Sequence, residues 1–285
     1  MESMIKVNEM TRGRFGNRVL QYNALVQLAA ELGHEASCVA WEGNEIFKNI
    51  ETHKTSSNPN KHLTWKDISF LMPLGHFPPD LDYTIGPCCI HNVFWQVSKR
   101  DPREFFEIND KYRVELSKEK THVGIHLRGT DIIEKDGNHG REVHPPDYYK
   151  RAIDFVEENS DNTIYHICTD DRTFPSYKET IAYLDEKGLP YELGSTDPFV
   201  DFSTLTECDV IIASSSTFVV CAAMIGKKDK KVIHWEGWKN LCVNHMPWHK
   251  VEDPPQIREW QMSFDNFWVN LFTEETPYYN LWRVL

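Results

Sequence analysis

Thr121-His122-Val123-Gly124-Ile125-His126-Leu127-Arg128-Gly129-Thr130-Asp131 reads as an apolar strand that stops at a histidine, an arginine and an aspartate. Alternate residues of a strand share one face, so His126 and Arg128 should project together from its carboxyl end. In open α/β sheets ligands bind beyond those ends. A guanidinium there can fork onto phosphate oxygens, and Gly129 should let a bulky anion approach the backbone. On these residues alone, a surface ion pair between Arg128 and Asp131 fits as well.

Working outward, two more strands end in polar clusters. Tyr165-His166-Ile167-Cys168 stops at Thr169-Asp170-Asp171, and Val210-Ile211-Ile212-Ala213 runs into Ser214-Ser215-Ser216-Thr217 at the start of a helix. Hydroxyls at a helix N-terminus offer donors to a diphosphate, with the macrodipole adding to the attraction. Taken singly, Ser214 to Thr217 is an ordinary N-cap cluster. The pattern around these ends predicts strand 121–127, helix 146–159, strand 163–168 and helix 175–187. It continues with a short strand at 189–192, helix 201–207, strand 210–213, helix 216–225 and strand 232–235. Such alternation marks a parallel, doubly wound sheet whose strand ends line one crevice.

Toward the N-terminus, residues 4–9 read as a strand and Thr11-Arg12-Gly13-Arg14-Phe15-Gly16-Asn17 as a glycine-bearing loop. Val19, Tyr22, Leu25, Val26 and Ala29 then make a helical face from Asn17 to Leu32, with Asn17 as the expected N-cap and Gly33 as the stop. Residues 51–110 are broken by Pro59, Pro73, Pro78, Pro79, Pro87 and Pro102 and read as the irregular end of a first domain. The tract Ile257, Trp260, Phe264, Phe267, Trp268 and Leu271 has helical spacing and should pack on a domain surface.

A chain of 285 residues exceeds one core of common size, which predicts two domains, 1–115 and 116–285. With 40% apolar and 26% charged residues, and no stretch that resembles a leader or a membrane span, the expectation is a soluble, cytoplasmic protein. Seven cysteines without a C-x-x-C pair point to reduced thiols, with Cys88 and Cys89 as small core residues. A net charge of −12 argues against nucleic acid, and Lys227-Lys228-Asp229-Lys230-Lys231 reads as a solvated turn. There is no dinucleotide or Walker phosphate loop and no G-x-S-x-G elbow. Asp170-Asp171 fits turn residues better than a cation site. His139 and His144 lack metal-ligand spacing, so no metal is expected.

Gly13-Arg14-Phe15-Gly16-Asn17-Arg18-Val19-Leu20-Gln21-Tyr22 resembles the G-G-L-G-N-Q-x-F-Q-Y opening of α-1,2-fucosyltransferases. His126 to Asp131 resembles the H-x-R-R-x-D motif shared by α-1,2-, α-1,6- and protein O-fucosyltransferases. Thr169-Asp170-Asp171 and the stretch Asp201 to Phe218 resemble the later motifs of that superfamily, in the same order.

The resemblance implies an α/β fold of GT-B type: two Rossmann-like domains with the donor site in the interdomain cleft. It implies an inverting, metal-independent transfer of fucose from GDP-fucose to a hydroxyl of a glycan acceptor. Arg128 would hold the donor diphosphate and assist departure of GDP. His126 and Asp201 would contact the guanine or ribose, and Asp170 falls in a donor-side motif. Ser215, Ser216 and Thr217 would contact phosphate, and Gly16 and Asn17 would face the donor from the N-terminal side. Asp136 and Glu142, in the loop after Asp131, are the carboxylates available to take the acceptor proton. Gly129 stands where the motif has its second arginine, Arg14 where the opening has its second glycine, and Arg18 where it has glutamine. Restoration of the missing charge by Arg14 or Arg18 is therefore an expectation. The same fold with another nucleotide sugar, or a binding protein without catalysis, are the other readings.

Overall fold

The computed structural model describes residues 4–7, 9–10, 13–52, 61–63, 83–85, 100–129, 144–214, 216–228 and 230–234. The chain divides into two compact units, Met1–Lys111 and Tyr112–Leu285. The aromatic tract near the C-terminus and Cys88-Cys89 lie outside the described residues.

The first unit contains β1 (Met4–Val7), α1 (Phe15–Leu32), β2 (Glu35–Cys38), α2 (Gly43–Ile46), β3 (Lys61–Leu63) and β4 (Tyr83–Ile85). The strands form a parallel sheet in the order β2-β1-β4-β3. Val19, Tyr22, Leu25 and Ala29 of α1 are buried as their spacing predicts. Gly33 ends the helix at φ 67°, a conformation that glycine adopts without a Cβ penalty, and its N–H reaches back to the last turn. The helix starts earlier than expected. Extended Arg14 is the cap residue and Asn17 lies inside the first turn, its N–H donating to the Arg14 carbonyl at 2.9 Å, so Asn17 is not the N-cap. Within 51–110, which reads as irregular from its prolines, β3 and β4 supply half of this sheet.

The second unit runs β5 (Thr121–Leu127), α3 (Pro146–Asn159), β6 (Thr163–Thr169), α4 (Pro175–Lys187), β7 (Tyr191–Leu193), α5 (Pro198–Glu207), β8 (Val210–Ala213), α6 (Thr217–Ile225) and β9 (Lys231–His234). Proline opens α3, α4 and α5, where its missing N–H is no loss and its φ suits a first helical turn. All five strands are parallel, in the order β7-β6-β5-β8-β9. The order reverses between β5 and β8, which is where open sheets of this kind leave a crevice.

The two faces of β5 differ. Val123, Ile125 and Leu127 join Tyr165, Ile167, Tyr149, Ile153 and Leu184 in an apolar core. The other face carries His122, Gly124 and His126. A Cβ on Gly124 would lie 2.6 Å from Leu205 Cδ2, so glycine here lets α5 pack close to the sheet. Burial of the first face is the hydrophobic term that drives the layers together.

The lysine run is not a wholly solvated turn. Lys230 is 1% exposed, and its ammonium donates to the Leu205 carbonyl in the last turn of α5, where cations are favoured. Burial pulls its pKa down to about 8. Cys38, Cys168, Cys208 and Cys221 are free thiols, all buried. Among the described residues, no helix is long and apolar enough to cross a membrane.

Candidate active site

The carboxyl ends of β5, β6 and β8 meet, and side chains link them. Arg128, just past β5, points its Nη1 at Ser216 Oγ, 3.2 Å away. Ser216 is the N-cap of α6, accepting the Phe218 N–H on the same oxygen at 3.3 Å. A guanidinium thus sits at the amino end of a helix, across the β5/β8 crevice. Cation, hydroxyl and the positive end of the helix macrodipole together make a receptor for an anion.

On the other side of β5, Gly129 N–H donates to Asp170 Oδ1 at 2.9 Å. Asp171 closes the next turn by accepting from the N–H and hydroxyl of Thr173, at 2.7 and 2.6 Å. Gly129 has a reason that its sequence does not show. A Cβ there would lie 2.8 Å from Phe174 Cδ1 and 3.2 Å from Cγ, so the glycine makes room for a buried ring.

His126 is 8% exposed, less open than a residue projecting freely from the strand end. Its ring stacks on Phe218 with centroids 5.3 Å apart, and its Nδ1 shares a 2.6 Å hydrogen bond with Ser214 Oγ. Desolvation, then the charge of Arg128, hold its pKa down to about 4, with Asp170 opposing. Further back on the same face, His122 Nδ1 and His166 Nε2 are 2.8 Å apart, and His122 Nε2 lies 2.8 Å from the Ser117 carbonyl. Burial also lowers the His166 pKa, although Glu192 raises it.

Asp201, in the first turn of α5, is 6% exposed. Its Oδ1 accepts the Ser195 N–H at 2.6 Å, and Gly194 passes so near that a Cβ there would fall 2.8 Å from the carboxylate. Burial pushes this carboxyl up to about 7; the Ser195 N–H and the charge of Arg172 pull the other way. Arg172 donates to the Gly194 carbonyl at 2.6 Å. Sequence reasoning missed Arg172, Phe174 and the pairing of Ser214 with His126. Only the last had a signal: a serine one step past a strand that flanks the histidine's own.

In the N-terminal unit, Asn17 folds its side chain over the loop before α1. A Cβ on Gly13 would fall on it, 2.0 Å from Nδ2, so Gly13 and Asn17 are sterically matched. Gly16 is in the first turn of α1. Arg18 forms an ion pair with Glu42, which spends its charge within this unit. Asp136, Glu142 and Ser215 lie outside the described residues, as do Thr130, Asp131 and His139. His144 packs on Tyr148 at 4.9 Å between centroids, and among the described residues no three His, Cys, Asp or Glu side chains gather as a metal site.

The profile of glycosyl transferase family 11 matches residues 1–240. The chain belongs to that family. The four motifs that resemble the fucosyltransferase superfamily agree with it, and this family 11 chain is a glycosyltransferase. No curated protein sequence matches it. Among solved structures it is similar to POFUT1 in complex with GDP, with 12% identity and a TM-score of 0.50 over 79% of this chain and 96% of that one. It is also similar to an arginine-to-lysine mutant of Arabidopsis thaliana FUT1 in complex with GDP, with 10% identity and a TM-score of 0.53 over 82% and 70% of the two chains. At such identities the likeness is one of fold. Together with two parallel, helix-connected sheets, it gives the family 11 chain a GT-B-type fold of Rossmann-like units.

Proposed function

We propose that this glycosyltransferase moves fucose from GDP-fucose to a hydroxyl of a glycan acceptor, with inversion at the sugar and without a metal. The observation that carries the reading is the placement of Arg128 on the N-cap of α6, at the crevice where the strand order reverses. The GDP bound to both structural neighbours fits that assignment.

In the transfer, the bond between the sugar's anomeric carbon and the β-phosphate oxygen breaks while the acceptor oxygen forms its bond from the opposite face. Negative charge grows on the departing diphosphate. Arg128, with Ser216 and Thr217 at the amino end of α6, would face that charge as it develops, the condition under which electrostatic stabilisation lowers a barrier. Ser215 completes the hydroxyl stretch. The acceptor proton passes to a carboxylate, for which Asp136 and Glu142 are the candidates. Asp201, with Arg172 beside it, and His126 behind the sheet edge form the nucleoside side of the donor site. Gly16 and Asn17 are the N-terminal residues we assign to the donor.

The test is release of GDP from GDP-fucose by the wild-type chain and by Arg128→Ala, with candidate acceptors and with EDTA. We expect activity to survive EDTA and Arg128→Ala to lose roughly 100- to 1,000-fold in kcat. Tight GDP binding without turnover on any acceptor would favour a binding protein instead. Turnover of a different nucleotide sugar in preference to GDP-fucose would overturn the donor.

A further inference from the structure

The family motif has two consecutive arginines where this chain has Arg128-Gly129, and the packing around Gly129 shows what replaced the second. The Cβ direction of Gly129 runs into the ring of Phe174, which is 3% exposed and belongs to the apolar core with Tyr148, Tyr149 and Tyr177. The contact extends to Cγ at 3.2 Å, near the root of the side chain, so the ring cannot swing clear by rotation alone. Phe174 is also the residue on which α4 begins, which ties its backbone. From the β6 end, Asp170 Oδ1 accepts the Gly129 N–H at 2.9 Å. The register aligns Leu127 with Thr169, so Asp170 stands beside the Arg128–Gly129 link. The peptide between these two residues is held by a hydrogen bond at its N–H and confined by a ring next to it. On its far side the Arg128 guanidinium meets Ser216 at 3.2 Å.

We infer that Asp170 and Phe174 are positioning residues for Arg128: the carboxylate fixes the Gly129 N–H, the ring fills the space a side chain at 129 would need, and the guanidinium is thereby aimed at the α6 N-terminus. The site is then a single-arginine site whose precision comes from the turn after β6, rather than a two-arginine site that has lost a member. In this role Asp170 acts on the cation through the backbone. This rests on the donor reading above, because the cation matters only if a diphosphate departs beside it.

The experiment compares Asp170→Ala, Asp170→Asn and Gly129→Ala with the wild-type chain. Asparagine keeps an acceptor oxygen for the Gly129 N–H and discards the charge. We expect Asp170→Ala to lower kcat by about 10- to 100-fold with KM changed less than about 3-fold, the pattern of a group that matters in the transition state. Asp170→Asn should stay within about 3-fold of wild type, since the backbone bond survives. Gly129→Ala should lower kcat and thermal stability together, because its Cβ displaces Phe174. Amide exchange at Gly129, read without substrate, should accelerate in Asp170→Ala and not in Asp170→Asn. Equal damage from Asp170→Asn and Asp170→Ala would overturn the inference in favour of direct contact between the carboxylate and the donor site. Unchanged kcat and unchanged exchange in Asp170→Ala would overturn it outright. If the wild-type chain binds no GDP, the donor reading fails, and Gly129 exchange still decides whether Asp170 holds the peptide.

Discussion

Arg128 Nη1 and Ser216 Oγ stand 3.2 Å apart, and that oxygen also accepts the Phe218 N–H, so the cation after β5 and the cap of α6 are one unit. Ser216→Ala removes both bonds. A lost N-cap costs about 1 kcal/mol, which thermal unfolding will register as a shift of a few degrees. GDP affinity, measured by calorimetry, should fall as well, because the guanidinium loses a partner and the helix end loses its geometry. A variant with the lowered melting point and unaltered GDP affinity would place the diphosphate elsewhere.

His126 gives stability a slope with pH. Its pKa is depressed in the folded state from 6.5 to about 4, so the unfolded chain binds the proton more readily between those values. The contribution is therefore present above pH 6.5 and is lost as pH falls toward 4, an effect on the order of 3 kcal/mol for this buried ring. His166 adds a loss of the same sign. Urea midpoints of the wild-type chain and His126→Asn over that range should differ in slope. Parallel curves would reject the assignment.

Asp201 works in the opposite direction. Its folded pKa is raised from 3.8 to about 7, so its favourable contribution is complete below 3.8 and disappears as pH rises through 7. Asp201→Asn cannot ionise. Measured against wild type, its relative stability should climb between pH 4 and 7 and level off above, read from the same urea titrations. A difference independent of pH would mean that the carboxyl titrates normally.

Gly124→Val tests the close approach of α5. The first added carbon already lies 2.6 Å from Leu205 Cδ2 and 3.1 Å from Cys208 Sγ, both on buried residues. Overpacking of this kind costs about 1–3 kcal/mol. Chemical denaturation should show that loss, and Leu205→Ala in the same chain should recover part of it.

The second unit was largely legible in the sequence, for reasons that can be named. Strands of seven residues such as Thr121–Leu127 and Thr163–Thr169 are long enough to show their character, and Pro146 and Pro175 mark helix starts. Arg128 and Ser216 were legible because both terminate elements whose ends share one sheet edge. Short pieces were not. Lys61–Leu63 and Tyr83–Ile85 are three residues each, too few for any period to show, and the prolines around them dominated the reading. Asn17 looked like a cap because residues of its type cap helices; its role over Gly13 is steric and appears only in space. The burial of Lys230 was hidden by its charged neighbours, and its partner Leu205 lies 25 positions away. The meaning of Gly129 needed Phe174, a residue from the next strand's turn.

The split personality of β5 constrains how this chain can change. Hydrocarbon lines one side of the strand, and imidazoles share hydrogen bonds on the other. One inserted residue within Thr121–Leu127 would turn the ribbon over, pressing His126 into oil and sending Leu127 toward the serines, while shifting the guanidinium off its helix. Lengthening the connections leaves that parity untouched. Tolerance to insertion in this molecule is thus a question of odd and even, settled within seven residues.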